Sequence, residues 1–147
     1  MCSLAKDYTS FINWIRENTE YYFFTGVLVD TVDAHIPIKL KTSELDLWVI
    51  IGNLFDNAIE ASLALPENER VIRVYMDMKN TQLYISFTNF TAVKKQKKIN
   101  NLFTTTKGSN HGLGLIQIDR IIKRLDGYLS RNSEDNAFTT EILIPQI

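Results

Sequence analysis

Apolar residues recur at three- and four-residue spacing in three parts of the chain and alternate with polar ones between them. In "DYTSFINWIREN", Phe11, Trp14 and Ile15 share one helical face, so residues about 4–19 read as a helix within an N-terminal segment 1–20. "YYFFTGVLVDTV" is aromatic and β-branched and reads as a strand. "HIPIKL" alternates and reads as a second strand, with Pro37 placing it at a sheet edge. "KTSELDLW" offers Thr42 or Ser43 as an N-cap with acids in the first turn. That helix is predicted to run to about Leu65, where "PENE" stops it. "RVIRVYMDM" and "QLYISFTNF" flank "KNT" as a hairpin. A polar, basic stretch, Thr91 to Asn110, follows. Leu115, Ile118, Ile122 and Leu125 then mark an amphipathic helix that should end at Gly127 as its C′ residue. "GYLSRNSEDNAFTTEILIP" reads as a closing hairpin. The order α-β-β-α-β-β-loop-α-β-β predicts an α+β fold, a two-layer α/β sandwich whose mixed sheet is covered on one face by helices.

Composition narrows the setting. A chain of 147 residues suits one domain, 1–147, large enough to fold without staples. A net charge of −1 gives no support to nucleic-acid binding. The single cysteine, Cys2, excludes an internal disulfide framework and a cysteine-based zinc site, and fits a reducing compartment. Apolar runs such as "LWVII" are far shorter than the ~20 residues that span a bilayer. The first ten residues hold no apolar run of the signal-peptide kind. A cytoplasmic chain, or a cytoplasmic piece of something larger, is expected, monomeric in isolation.

Two features break the ordinary pattern. The middle helix carries "GNLFDNAIEAS", with Asn53 and Asn57 four residues apart on one face, Asp56 beside them and Glu60 one turn on. Asparagine is a poor helix former because its amide competes for backbone hydrogen bonds, so two on one face need a reason. The second feature is the long polar connection. It contains "KKQKK", Lys94 to Lys98, and then "TTTKGSNHGLGL", Thr104 to Leu115. A connection of about 20 residues in a small domain is either a functional lid or a misassigned element. Gly112 and Gly114 fall where the next helix starts. Backbone amides there attract anions, glycines admit a phosphate closely, and Lys107 is on the same approach. A solvated loop and a flexible turn would look the same on these residues alone.

Together, "NLFDNAIEA" and, about 50 residues later, "TTKGSNHGLGL" resemble the GHKL ATPases. The resemblance runs from about Ile36 to Pro145. It is specifically to the ATP-binding (HATPase_c) domain of sensor histidine kinases, with the peptide quorum-sensing receptor kinases the most similar branch. It implies a Bergerat-type ATP-binding fold with ATP held under a mobile lid, here residues 91–111. Asn57 takes the place of the residue that coordinates the Mg2+ bridging the phosphates, a role suited to a neutral carbonyl oxygen. Asn53 would bond a phosphate or a metal-bound water, and these two asparagines are the catalytic candidates. Asn89, Phe103, Thr106, Lys107, Gly108, His111, Gly112, Leu113 and Gly114 complete the expected ATP site, with Phe103 pinning the lid. Asp56 and Glu60 are either at the site or on the solvated edge of the helix.

The resemblance also separates reaction types. In hydrolysing branches of the family a glutamate stands at the place of Asn53 and serves as general base. Asparagine accepts no proton at neutral pH, so storage of ATP for transfer is implied instead. The family's Asp-x-Gly-x-Gly segment reads "TNFTAVKK" here, with Asn89 in the place of the aspartate and both glycines missing. Asn89 still offers a carbonyl to an adenine amino group. Of the two histidines, His35 falls in a predicted strand and His111 abuts the glycines. Neither lies on a helix preceding the ATP site, where the phosphoacceptor belongs. Three readings follow: the catalytic domain of a sensor histidine kinase, an anti-sigma-type serine kinase, or a non-catalytic nucleotide-binding or interaction module. The first implies ATP and Mg2+, a separate dimerisation and phosphoacceptor segment of the same kinase, and a response regulator indirectly. It also implies the cytoplasmic part of a membrane-bound bacterial receptor.

Overall fold

Alternation of apolar residues makes one face of a sheet dry, and that face collects two helices. In a computed structural model, residues 28–35, 40–92, 98–99, 102–103 and 109–147 are described. Five strands form the main sheet: β1 (Leu28–His35), β2 (Val71–Lys79), β3 (Gln82–Phe90), β6 (Tyr128–Glu134) and β7 (Ala137–Pro145). Their order is β1-β2-β3-β7-β6. β1 runs parallel to β2, and the other neighbours are antiparallel, so the sheet is mixed as predicted. Ile72, Val74 and Met76 of β2, Leu83, Ile85 and Phe87 of β3, and Ile142 and Ile144 of β7 point to the buried face. That is the two-residue period of a half-buried sheet.

Helix α1 (Glu44–Ser62) covers this face with Leu47, Ile50, Ile51, Leu54, Phe55 and Ala58, all buried. Phe55 meets Phe87 edge-on at 4.7 Å between ring centroids. Helix α2 (Ser109–Arg124) adds Ile118, Ile121 and Ile122. Each buried aliphatic side chain of this kind contributes about 1.5–3 kcal/mol relative to exposure.

Local chemistry sets the boundaries. Ser43, not Thr42, caps α1: its Oγ accepts from the Asp46 N–H at 3.2 Å. Thr42 Oγ1 instead accepts from Gln146 Nε2 at 2.7 Å, tying the helix entry to the chain end. α1 stops at Ser62, three residues before the predicted Leu65, and "ENE" of the predicted breaker forms a short 3-10 turn, Glu67–Glu69. Asn80 (φ 57°) and Asn136 (φ 69°) turn the two hairpins, using the left-handed conformation that asparagine tolerates.

The end of α2 differs from expectation. Asp126 takes the left-handed position (φ 55°), with its N–H donating to Lys123 O at 3.2 Å and the Gly127 N–H to Ile122 O at 2.8 Å. This is a Schellman motif with Asp126 at C′ and Gly127 one residue beyond. Gly127 is required by contact: a Cβ there would lie 2.7 Å from Leu143 O.

Other expectations are corrected or fall outside the description. Of "HIPIKL", His35 is the last residue of β1, the edge strand, and Leu40 is a buried core residue; residues 36–39 lie outside the described residues. The predicted helix at 4–19, Pro37 and most of the predicted lid lie outside the described residues. The connection is not structureless, because β4 (Lys98–Ile99) and β5 (Leu102–Phe103) pair antiparallel within it. Its ends are fastened. Thr91 is buried and its N–H donates to Asn136 O at 3.0 Å, while residues 109–111 already belong to α2.

Candidate nucleotide site

The two unusual sequence features meet where α1 and α2 pack. The helices run antiparallel: Arg124 at the end of α2 pairs with Asp46 in the first turn of α1. Farther along, Asn53 Nδ2 donates to Gln117 Oε1 at 3.2 Å. Continuing that register brings Asn57 level with the first turns of α2, where Gly112 and Gly114 sit.

Asn53 is held tightly. Its Nδ2 also donates to Val49 O, one turn back, at 2.8 Å. On its other side is Gly114, where a Cβ would lie 3.0 Å from Asn53 Oδ1. Such a contact is tight enough that glycine is the natural residue. Gly112, by contrast, has nothing within 4 Å of a Cβ, so its missing side chain leaves open space. Both glycines lie inside the helix rather than in the loop before it, so each costs helix stability that packing does not explain at Gly112.

Asn57 is half-buried, and its Nδ2 is buried with no hydrogen-bond partner among the described residues. A buried polar atom left without a partner costs about 1–3 kcal/mol. Because amide N and O positions interchange by rotation, the same place can present the carbonyl oxygen. Asp56 is exposed on the adjoining surface. Partial burial first, and the neighbouring Glu60 carboxylate second, hold its carboxyl above the ordinary carboxylate value of 3.8.

Asn89 sits on the buried face of β3 near its end, 6% exposed. Its Nδ2 donates to Phe90 O at 3.3 Å. Ser62 Oγ, donating to Ala58 O at 2.7 Å and Phe90 O at 3.3 Å, ties the end of α1 to the same place. Asn89 therefore lies near the C-terminal end of α1, with its amide nitrogen donating to a neighbouring carbonyl rather than to Asn53 or Asn57. An open cavity beside it is walled by Leu65, Glu69, Val71, Phe90 and Asn136, none of them a predicted site residue.

The other candidates divide. His111, Gly112, Leu113 and Gly114 fall in the first two turns of α2. Leu113 is 62% exposed and stands away from the Asn53–Gly114 contact. Phe103 is in β5, paired with Lys98. Thr106, Lys107 and Gly108 lie outside the described residues. Sequence reasoning missed Gln117, although its place one turn after Gly114 puts both on one face of α2. It also missed Arg131, which is buried on β6. Its guanidinium pairs with Asp119 at 2.8 Å and donates to Leu115 O at 3.4 Å, fixing the glycine-bearing helix on the sheet.

Known proteins give the arrangement a family context. A family model described as "GHKL domain" matches residues 43–145. The "Probable C4-dicarboxylate sensor kinase" of Halalkalibacterium halodurans is 31% identical over 106 residues, covering 69% of this chain and 20% of that protein. The chain thus spans about a fifth of that relative's length. The solved structure of the Acinetobacter baumannii histidine kinase AdeS superposes with a TM-score of 0.68 at 15% identity, covering 95% of this chain and 64% of that one. A nucleotide-free catalytic domain of the histidine kinase ThkA gives 0.61 at 23% identity, covering 97% and 90%. At these identities the structural likeness is one of fold.

Proposed function

The chain belongs to the GHKL domain family, and from that premise we propose that it is the ATP-binding catalytic domain of a sensor histidine kinase. In this reading it binds Mg2+-ATP and donates the terminal phosphoryl group to a histidine on a separate dimerisation segment. The observation that carries the proposal is the buried Nδ2 of Asn57, which has no hydrogen-bond partner among the described residues, at the level of the open glycine turn of α2. A side-chain amide with no partner among the described residues can turn its carbonyl oxygen to a cation, and the first backbone N–H groups of α2 attract anions.

Asn57 would hold the magnesium ion through its carbonyl oxygen. When bound, the ion neutralises charge on the phosphates and orients them for in-line attack. Ser109 to Gly112 supply backbone donors to the phosphates, and Lys107 adds positive charge. Asn89 engages Phe90 O through its nitrogen, which leaves its oxygen for the adenine amino group. Asn53 accepts no proton, so water is not activated and the phosphoryl group is kept for the acceptor segment. A relative described as a probable C4-dicarboxylate sensor kinase lends no support to the quorum-sensing branch in particular, so the reading is of sensor kinases in general. Among the described residues no helix is long and apolar enough to cross a membrane.

Calorimetric titration with ATP, with and without magnesium, tests the reading. The chain should bind Mg2+-ATP with a Kd between about 1 μM and 1 mM. Asn57→Ala should remove the magnesium-dependent part while the melting temperature holds. Unchanged magnesium dependence in that variant would refute the metal-ligand assignment. Transfer of label from radioactive ATP to a supplied acceptor segment, and not to the chain alone, tests the kinase role.

A further inference from the structure

We infer that Asn53 shows only its carbonyl oxygen to the nucleotide, and that Gln117 is the positioning residue that keeps it so. An amide nitrogen has two hydrogens, and both are used here. One is donated to Val49 O at 2.8 Å, the other to Gln117 Oε1 at 3.2 Å. Val49 O is a backbone carbonyl and can only accept, so the amide is oriented by its partner. Rotating the side chain would set two oxygens against each other at Val49. Oδ1 is left on the side of Gly114, 3.0 Å from where that residue's Cβ would be.

The consequence is chemical. A phosphate oxygen is an acceptor and gains nothing from a carbonyl oxygen. What Asn53 Oδ1 takes is a hydrogen-bond donor, and with the backbone N–H groups of α2 and Lys107 assigned to the phosphates, a water on the bound magnesium ion would supply it. Asn53 would thus steady the hydrated cation, and Asn57 would bind it directly. This inference rests on the nucleotide-site reading above and deepens it.

Gln117 is exposed, so it can be replaced without opening the core. Its side chain reaches the Asn53 amide from across the helix interface. Gln117→Met keeps length and loses the acceptor; Gln117→Glu keeps an acceptor at the same reach.

The test has two arms. In nucleotide-free protein, the side-chain amide protons of Asn53 are followed by 1H–15N NMR. Both should exchange slowly in the parent protein and in Gln117→Glu, and one should exchange fast in Gln117→Met. Fast exchange of both in the parent, or no change in Gln117→Met, overturns the positioning role whether or not nucleotide binds. In the second arm, ATP is titrated with and without magnesium. Gln117→Met should lose about tenfold of the magnesium-dependent gain in affinity and leave metal-free ATP binding alone. A magnesium-dependent gain within twofold of the parent overturns the acceptor role. Equal losses with and without metal overturn it too, because they point to a donor lost from the phosphates. A parent protein that gains nothing from magnesium overturns this role and the magnesium reading above together, and the first arm still decides the positioning.

Discussion

Gly112→Ala separates a structural glycine from a functional one, because the two roles predict opposite signs. Gly112 is the fourth residue of α2, and a Cβ there meets nothing within 4 Å. Replacing a helical glycine by alanine at an uncrowded place stabilises by about 0.5–1 kcal/mol, chiefly by removing backbone freedom from the unfolded chain. In the first turn the lower half of that range applies, so the melting temperature should rise by about 1–2 °C. The same methyl group occupies the space through which a phosphate would reach the N–H groups at the helix start. Loss of even one charge-assisted hydrogen bond is worth about 1.5–3 kcal/mol, so the affinity for Mg2+-ATP should fall at least about tenfold. Gly52→Ala is the control. It lies within α1, also has open space at its Cβ, and should stabilise similarly with no loss of binding. Thermal melts and calorimetry on the two variants give the four numbers required. Wild-type affinity in Gly112→Ala would refute the claim that this glycine exists for phosphate approach.

Four other outcomes follow. Gly114→Ala should weaken Mg2+-ATP binding by displacing the Asn53 amide, and a crystal structure of the variant should show Asn53 moved by a few tenths of an ångström. Asn53→Glu supplies a proton acceptor, so phosphate release from ATP should rise above a negligible parent rate; robust turnover by the unmodified domain would contradict the reading of Asn53. Asp56→Asn removes a carboxyl whose ionisation the fold opposes. A raised folded pKa stabilises below the unfolded value and is lost as pH rises through the folded one, so the variant should melt higher than the parent at pH 7. That advantage should close below about pH 4, as melts across pH will show. Arg131→Met leaves Asp119 without its buried partner and should cost about 3 kcal/mol in urea unfolding, the low end for a broken buried pair because Asp119 is 30% exposed.

Much of this was legible in one dimension because the deciding forces are local. Period-two alternation placed β2, β3 and β7, and Ile118 and Ile122 marked the inner face of α2. The choice between Thr42 and Ser43 as cap was not legible, because Thr42 is claimed by Gln146, over a hundred residues away. The displaced C′ residue has a similar cause. Gly127 looked like the left-handed residue, yet the backbone of Leu143 on a neighbouring strand leaves no room for its Cβ, and Asp126 takes the turn instead. Within the site, Asn53 and Asn57 stood out because asparagine is out of place in an apolar helix. Gln117 and Arg131 did not, since a polar residue on a surface helix and an arginine in a strand are ordinary until their partners are known.

The role of Asn53 gains a physical basis from this geometry. On the proposed function a missing glutamate would leave water without a base, but an unneeded base could have been replaced by almost any residue. The structure gives a reason for asparagine. Its nitrogen must satisfy Val49 O and Gln117 Oε1, and its oxygen must face Gly114 without charge. A carboxylate at the same place would set negative charge against two acceptors and could donate to neither. Leucine would leave Gln117 Oε1 without its donor from Asn53. The asparagine therefore joins α1 to α2 through the nitrogen it donates, and keeps free of charge an oxygen that accepts a hydrogen bond and takes no proton. On the proposed function, a site built this way would hold its nucleotide in a chemically quiet state. Reaction then depends on a nucleophile brought from elsewhere, which is the property a phosphate donor controlled by another segment requires.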